Sequence, residues 1–179
     1  MRNLLFILLF SPALAFAQAA DSARCGEAAV RDSFSASHPR YHAYVVRHFL
    51  ARGITPQQAF GVLLSDNHLT APVVSADRGP VRACTPVRVK IAFTRSNPIL
   101  TSVDTAGYRL MNYSLPGHFL HPGKVERRLE SRNDSLWIVT TSIGHGRLPK
   151  VDERKAESVW KKVDDRLRTA LLAAFPGRE

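Results

Sequence analysis

Apolar and polar positions change their period along this chain, and each change predicts an element. Residues 21 to 67 read as helical. After Pro39-Arg40, Tyr41, Tyr44, Val45, His48 and Phe49 fall at i, i+3, i+4, i+7 and i+8, the stripe of an amphipathic helix. Gly53 is placed to stop it. Thr55-Pro56-Gln57-Gln58 restarts a helix, with threonine as cap, proline in the first turn and Gln58 closing a capping box. Phe60, Leu63 and Leu64 supply the buried face of this second helix, so an N-terminal helical hairpin is expected. On this reading His48 is a partly buried core histidine.

From Val81 the period becomes two. Val87, Val89, Ile91 and Phe93 alternate with Arg88, Lys90, Ala92 and Thr94, the pattern of a strand with one wet face. Pro86 confines that strand to an edge or marks a bulge. Tyr108, Leu110, Met111 and Tyr113 predict another strand, and Val125 to Glu130 and Leu136 to Ile143 predict a hairpin around the polar stretch 131–135. With Asn133 and Asp134 as the central turn residues, paired positions sum to 267. Leu129 then faces Ile138, and His145 faces Pro122 beside His121.

The C-terminal segment returns to helical spacing at Ala156, Val159, Trp160, Val163, Leu167, Ala170, Leu171 and Ala174, with Pro176-Gly177 ending it. A helix this amphipathic needs a surface to cover, and the strands before it supply one. Trp137 and Trp160 are expected to face each other in that interface. The predicted fold is therefore α+β: an N-terminal helical hairpin, an antiparallel meander and a long C-terminal helix packed on the sheet. This element order is similar to helix-grip and cystatin-like folds, which often cradle apolar ligands. The analogy concerns order alone and implies no function.

The N-terminus changes the picture. Arg2 precedes an apolar run from Leu4 to Phe16, too short to span a bilayer, and Ala15-Phe16-Ala17 gives the small-x-small pattern of a signal-peptidase site. Residues 1–17 are thus expected to be a signal peptide and 18–179 a single α+β domain, exported to the periplasm or secreted. Cleavage leaves 162 of the 179 residues, enough for a hydrophobic core. No later segment is apolar enough for a membrane helix. Cys25 and Cys84, the two cysteines, are expected to form a disulfide in an oxidising compartment. Closing that loop would add ~4 kcal/mol on the chain-entropy argument.

Charge narrows the partners without naming one. The chain carries +10, and Arg2 is the charge lost with the leader, so the mature protein carries +9. Anionic envelope components are natural partners for a basic exported protein. The cations are dispersed, however, which is the pattern of a solvated surface.

Candidate chemistry gathers near the hairpin's open end. His118 and His121 lie in Leu115-Pro116-Gly117-His118-Phe119-Leu120-His121-Pro122-Gly123, and His145 in Ile143-Gly144-His145-Gly146. The glycines are expected to expose backbone amides and allow positive φ. His121 and His145 form a candidate acid–base pair, with Lys124 and Arg147 stabilising charge on a phosphodiester. Zinc ligation by His118, His121 and His145 is the alternative chemistry, disfavoured because His-x-x-His suits a single regular strand poorly. A loop role, structural or ligand-contacting, is favoured over both, and no metal site or cofactor is assigned.

Other chemistries lose support, since no G-x-S-x-G elbow, phosphate-binding P-loop or dinucleotide G-x-G-x-x-G is present. Asn112-Tyr113-Ser114 and Asn133-Asp134-Ser135 are formal glycosylation sequons. The reading is a binding protein that recognises an envelope protein or an anionic or apolar ligand, with His118, Tyr108, Met111 and Trp137 as candidate ligand contacts. The alternative is a secreted phosphodiesterase or ribonuclease acting on nucleic acid. Oligomeric state is not readable from the pattern.

Overall fold

A computed structural model describes residues 34–91, 94–146 and 149–178. The expected signal peptide, Cys25 and Arg147 lie outside them. The first described element corrects the helical hairpin: Tyr41–Arg52 is a strand, β1. Tyr44 and His48 of the supposed helical stripe share one strand face, while Tyr41, Val45 and Phe49 take the other. The physical reason is composition. Tyr41, Tyr44, Val45, Val46 and Phe49 are aromatic or β-branched, and such residues fit a pleated surface better than a helix interior. Residues 21–33, also read as helical, lie outside the described residues.

The second helix is present as α1, Pro56–Ser65. Its capping box is complete: Gln58 N donates to Thr55 Oγ1 at 3.2 Å, and Thr55 N donates to Gln58 Oε1 at 3.0 Å. Two short 3₁₀ turns, Asn67–Leu69 and Ser75–Asp77, carry the chain to the other sheet edge.

Five further strands follow: β2 Pro86–Ile91, β3 Thr94–Asp104, β4 Arg109–Ser114, β5 Gly123–Arg132 and β6 Ser135–His145. They join β1 in one antiparallel sheet of order β1-β6-β5-β4-β3-β2. Pro86 opens the edge strand β2, as its missing N–H requires. The β5–β6 register is the one expected, with Leu129 opposite Ile138 and Arg132 opposite Ser135. Asn133 and Asp134 take φ of 50° and 59° in the two-residue turn, which suits a type I′ hairpin.

The last helix, α2, spans Pro149–Ala174 and packs on β1, β6 and α1. Its buried positions Ala156, Trp160, Val163, Leu167 and Leu171 follow the stripe read from the sequence. Toward its C-terminal end, Leu167 and Leu171 meet Leu50, Leu110, Leu129 and Ile138 of the sheet, together with Phe60 and Leu63 of α1. Toward its N-terminal end, Ala156, Trp160 and Val163 pack with Val46 in a smaller cluster. Trp137 does not face Trp160. Its register places it on the opposite sheet face, where its ring meets Phe49 edge-on at 5.6 Å.

Between the two apolar clusters lies a buried ionic network. Arg127 on β5 has no solvent exposure and pairs with Asp164 of α2, donates to the Leu69 carbonyl at 2.7 Å and lies 5.0 Å from the Trp160 ring centroid. His48 Nδ1 lies 2.6 Å from the other Asp164 oxygen, and its Nε2 lies 2.9 Å from Glu157 Oε1. Burial works against a charged His48 ring, but hydrogen bonds to both carboxylates outweigh it and raise its pKa above the ordinary value. His48 is thus a half-buried link between sheet and helix.

Candidate functional site: a cavity beneath the N-terminal half of the long helix

Where α2 leaves the sheet toward its N-terminus, the smaller cluster does not fill the space. A cavity of ≈ 120 Å³ remains between the sheet's inner face, the Ala71-Pro72 segment, the 118–120 loop and α2. A single water needs roughly 10–15 Å³ of such space, so this volume admits an organic molecule. Val89, Ile99, Leu120, Val125, Ala156 and Trp160 make its walls largely apolar, and Val159, 40% exposed, stands at its rim.

Glycines allow this geometry, mostly by a different route from the one expected. Gly123 and Gly144 face each other across the β5–β6 ladder, and a Cβ on Gly144 would come within 2.8 Å of both Gly123 Cα and the Pro122 carbonyl. A Cβ on Gly146 would fall 2.5 Å from Asp152 Oδ2 and 3.2 Å from His42 Nδ1. Close approach is the requirement at these positions. Positive φ applies to Gly117, at 93°.

Several polar groups line the cavity. His42 is buried, and its Nδ1 accepts from Gly146 N at 3.1 Å. Burial lowers its pKa, with Glu153 opposing that shift, so the ring is neutral at pH 7. Trp160 Nε1 donates to the Tyr44 hydroxyl at 3.0 Å. Asp152 Oδ2 is buried without a hydrogen-bond partner, and desolvation, aided by Glu153, raises its carboxyl pKa to about 6. Asn112 is 4% exposed; its Oδ1 accepts from Thr101 Oγ1 at 2.7 Å, while its Nδ2 has no hydrogen-bond partner. The burial also makes the Asn112 sequon inaccessible in the folded state. Ser114 Oγ donates to the Gly123 carbonyl at 3.0 Å.

His118 reaches the cavity as well. Its Nδ1 accepts from Leu120 N at 2.9 Å, and burial, reinforced by His121, lowers its pKa to about 4. An unfolded chain therefore takes a proton at this residue between pH 6.5 and 4 that the native state refuses. The stability it contributes is full above pH 6.5 and declines as pH falls toward 4, by on the order of 3 kcal/mol. Asp152 has the opposite sign, because the native carboxyl protonates first and gains stability as pH falls from about 6 to 4. Melting temperatures of His118→Asn are expected to fall less than those of the parent between pH 7 and 4.5. An identical fall in both proteins would remove His118 as an acid-labile group.

The other sequence-derived candidates divide. His118, His121 and His145 line one recess beside the cavity, together with Arg40 and Asn97. His145 donates its backbone N–H to the Pro122 carbonyl at 2.9 Å, as the register required, and its ring stacks on His38 with centroids 3.9 Å apart. His121 Nδ1 donates to the Ser114 carbonyl at 2.8 Å. Lys124 borders the apolar cavity instead of that recess. Tyr108, Met111 and Trp137 do not line the cavity. Tyr108 packs against Phe60 at the far end of the core, and Met111 sits opposite Glu126 on the outer sheet register. Among the described residues no group of three His, Cys, Asp or Glu side chains is arranged to hold a metal.

Sequence reasoning missed His42, Asn112, Asp152 and Ala156 as cavity residues. A period-two reading of 41–52 would have put His42 with Tyr44 and Val46 on one face. Asn112 and Ser114 flank Tyr113 at the same period.

This arrangement is an α+β helix-grip architecture, a six-stranded antiparallel sheet with one long helix packed on it and a cavity between them. No family model and no curated protein matches the sequence. Solved structures do match the fold. A Mesorhizobium loti protein superposes with TM-score 0.55 at 12% identity, covering 75% of this chain and 98% of its own. Ara h 8.0201 gives 0.51 at 14% identity, covering 74% and 99%, and a Thermus thermophilus protein gives 0.50 at 15%, also covering 74% and 99%. At these identities the likeness establishes the fold.

Proposed function

We propose that this protein binds a small, largely apolar molecule in the cavity between the sheet and α2, and that it does so as an exported protein without catalysing a reaction. The observation that carries the reading is the cavity itself: apolar walls, glycine-made space and polar groups at its margin, the usual anatomy of a small-molecule site. The test is binding of the neutral fluorophore N-phenyl-1-naphthylamine. Saturable enhancement, displaced by other apolar compounds and lost when the cavity is filled, supports the reading. No saturable binding of any apolar probe overturns it.

Export rests on the leader-like residues 1–17 and on a pair of cysteines. We expect the mature protein to begin at Gln18 and to show no thiol reactive to iodoacetamide until reduced, through a Cys25–Cys84 bridge. Full-length protein with two alkylatable thiols would remove both proposals.

A second reading keeps the phosphodiesterase alternative, favoured by one observation. His118, His121 and His145 do share a recess, and Arg40 brings a cation to it. It ranks second because His121 Nδ1 is committed to the Ser114 carbonyl and Lys124, the cation expected beside the pair, borders the apolar cavity instead. Turnover of single-stranded RNA by purified protein, abolished in His121→Ala, would promote it.

A further inference from the structure

Two cavity-lining groups, Asn112 Nδ2 and Asp152 Oδ2, are buried without a hydrogen-bond partner, and the donor of the pair identifies what an occupant must offer it. Asn112 sits on the inner register of β4, opposite Val125 of β5 and Thr101 of β3. The Thr101 hydroxyl commits the Asn112 carbonyl and so fixes the amide orientation. Its NH₂ group is left facing a lined cavity with no hydrogen-bond partner, although the residue is only 4% exposed. A buried donor without an acceptor is costly, on the order of 1–3 kcal/mol, and the exceptions in native proteins need an explanation. An oxygen on a bound molecule supplies it. His118 lines the same cavity, and because its Nδ1 accepts from Leu120 N, its proton resides on Nε2, adding a second donor.

Resting on the small-molecule reading above, we propose that the ligand is an apolar compound bearing a hydrogen-bond-accepting oxygen, a ketone or similar carbonyl, received by Asn112 Nδ2. The two donors, Asn112 and His118, are neutral and the adjoining wall of Val125 and Ile99 is apolar, which suits an uncharged oxygen, while Lys124 and Lys155 border the cavity as well.

The test compares two probes of nearly equal shape, 2-acetylnaphthalene and 2-ethylnaphthalene, as competitors of N-phenyl-1-naphthylamine. The parent protein should bind the ketone at least about tenfold more tightly, the discrimination expected of a site with a buried donor. Asn112→Leu combined with Thr101→Val removes the donor and its partner together at similar volume, and should abolish or invert that preference while still binding 2-ethylnaphthalene. Equal affinity of the parent for both probes overturns the oxygen-acceptor inference and leaves the cavity reading intact. A preference that survives in the double variant also overturns it. Absence of binding by either probe, and by the fluorophore, overturns the cavity reading itself. If the double variant does not fold, the Asn112→Asp carboxylate gives the second arm, with the ketone preference again expected to disappear.

Discussion

Asp164→Ala should lower the stability of this protein by about 3–5 kcal/mol, the range seen when one partner of a buried ion pair is removed. Asp164 is 3% exposed and serves two basic side chains at once, Arg127 through one oxygen and His48 through the other. Without it, the fully buried Arg127 retains the Leu69 carbonyl and the face of Trp160, neither of which neutralises its charge. For a chain of this size the loss corresponds to a melting-temperature drop of roughly 10 °C. The complementary variant, Arg127→Met with Asp164→Leu, should melt above Asp164→Ala, because it removes the cation together with its counter-ion. A melting temperature of Asp164→Ala within about 2 °C of the parent would contradict the network's structural role, on the same scale.

Ala156→Phe should weaken binding of N-phenyl-1-naphthylamine by roughly fivefold to more than a hundredfold while leaving the fold in place. Ala156 is 6% exposed, lies on the inner stripe of α2 and borders the cavity. A benzyl group there enters the space a ligand would use, and displacing it would cost about 1–3 kcal/mol, which is roughly fivefold to more than a hundredfold in affinity. The same residue packs with Val46 and Trp160, so circular dichroism must accompany the titration. Ala71→Leu fills the cavity from the opposite wall and makes an independent check, since it does not touch the helix stripe. Retained probe affinity in both folded variants would place the bound fluorophore somewhere else on the protein.

The network and the cavity are coupled by position. Trp160 stacks on Arg127 below and lines the cavity above, with its indole N–H held by Tyr44. The ionic layer thus separates a tightly packed core from a region left open. Filling that region with larger apolar side chains should be easier to tolerate than disturbing the layer beneath it, because a void offers room and a buried charge offers no substitute partner.

Sequence by itself determined the elements whose signals are local. The stripe of α2, the α1 capping box and the β5–β6 register are legible in side-chain spacing and turn chemistry, whereas the period-two run read from Val87 to Thr94 holds only to Ile91, because Thr94 already pairs back with Ile91 as the start of β3. Spacing did not show β3, where Asn97-Pro98 reads as a breaker although both residues lie within the strand. Pro98 is tolerated because its carbonyl faces Leu115, beyond the end of β4, where no ladder bond needs its missing N–H. At Tyr41–Arg52 twelve residues satisfied the helical period and the strand period alike, and pairing with β6 decided between them. Only the tertiary structure placed Asn112, Asp152 and His42 around one cavity, because those residues come from three separate elements. It also decided that Arg127, which alternates like any surface residue of a hairpin, points inward to meet a carboxylate 37 positions away. Burial of a charge depends on what the rest of the chain brings to it, and neither spacing nor composition records that.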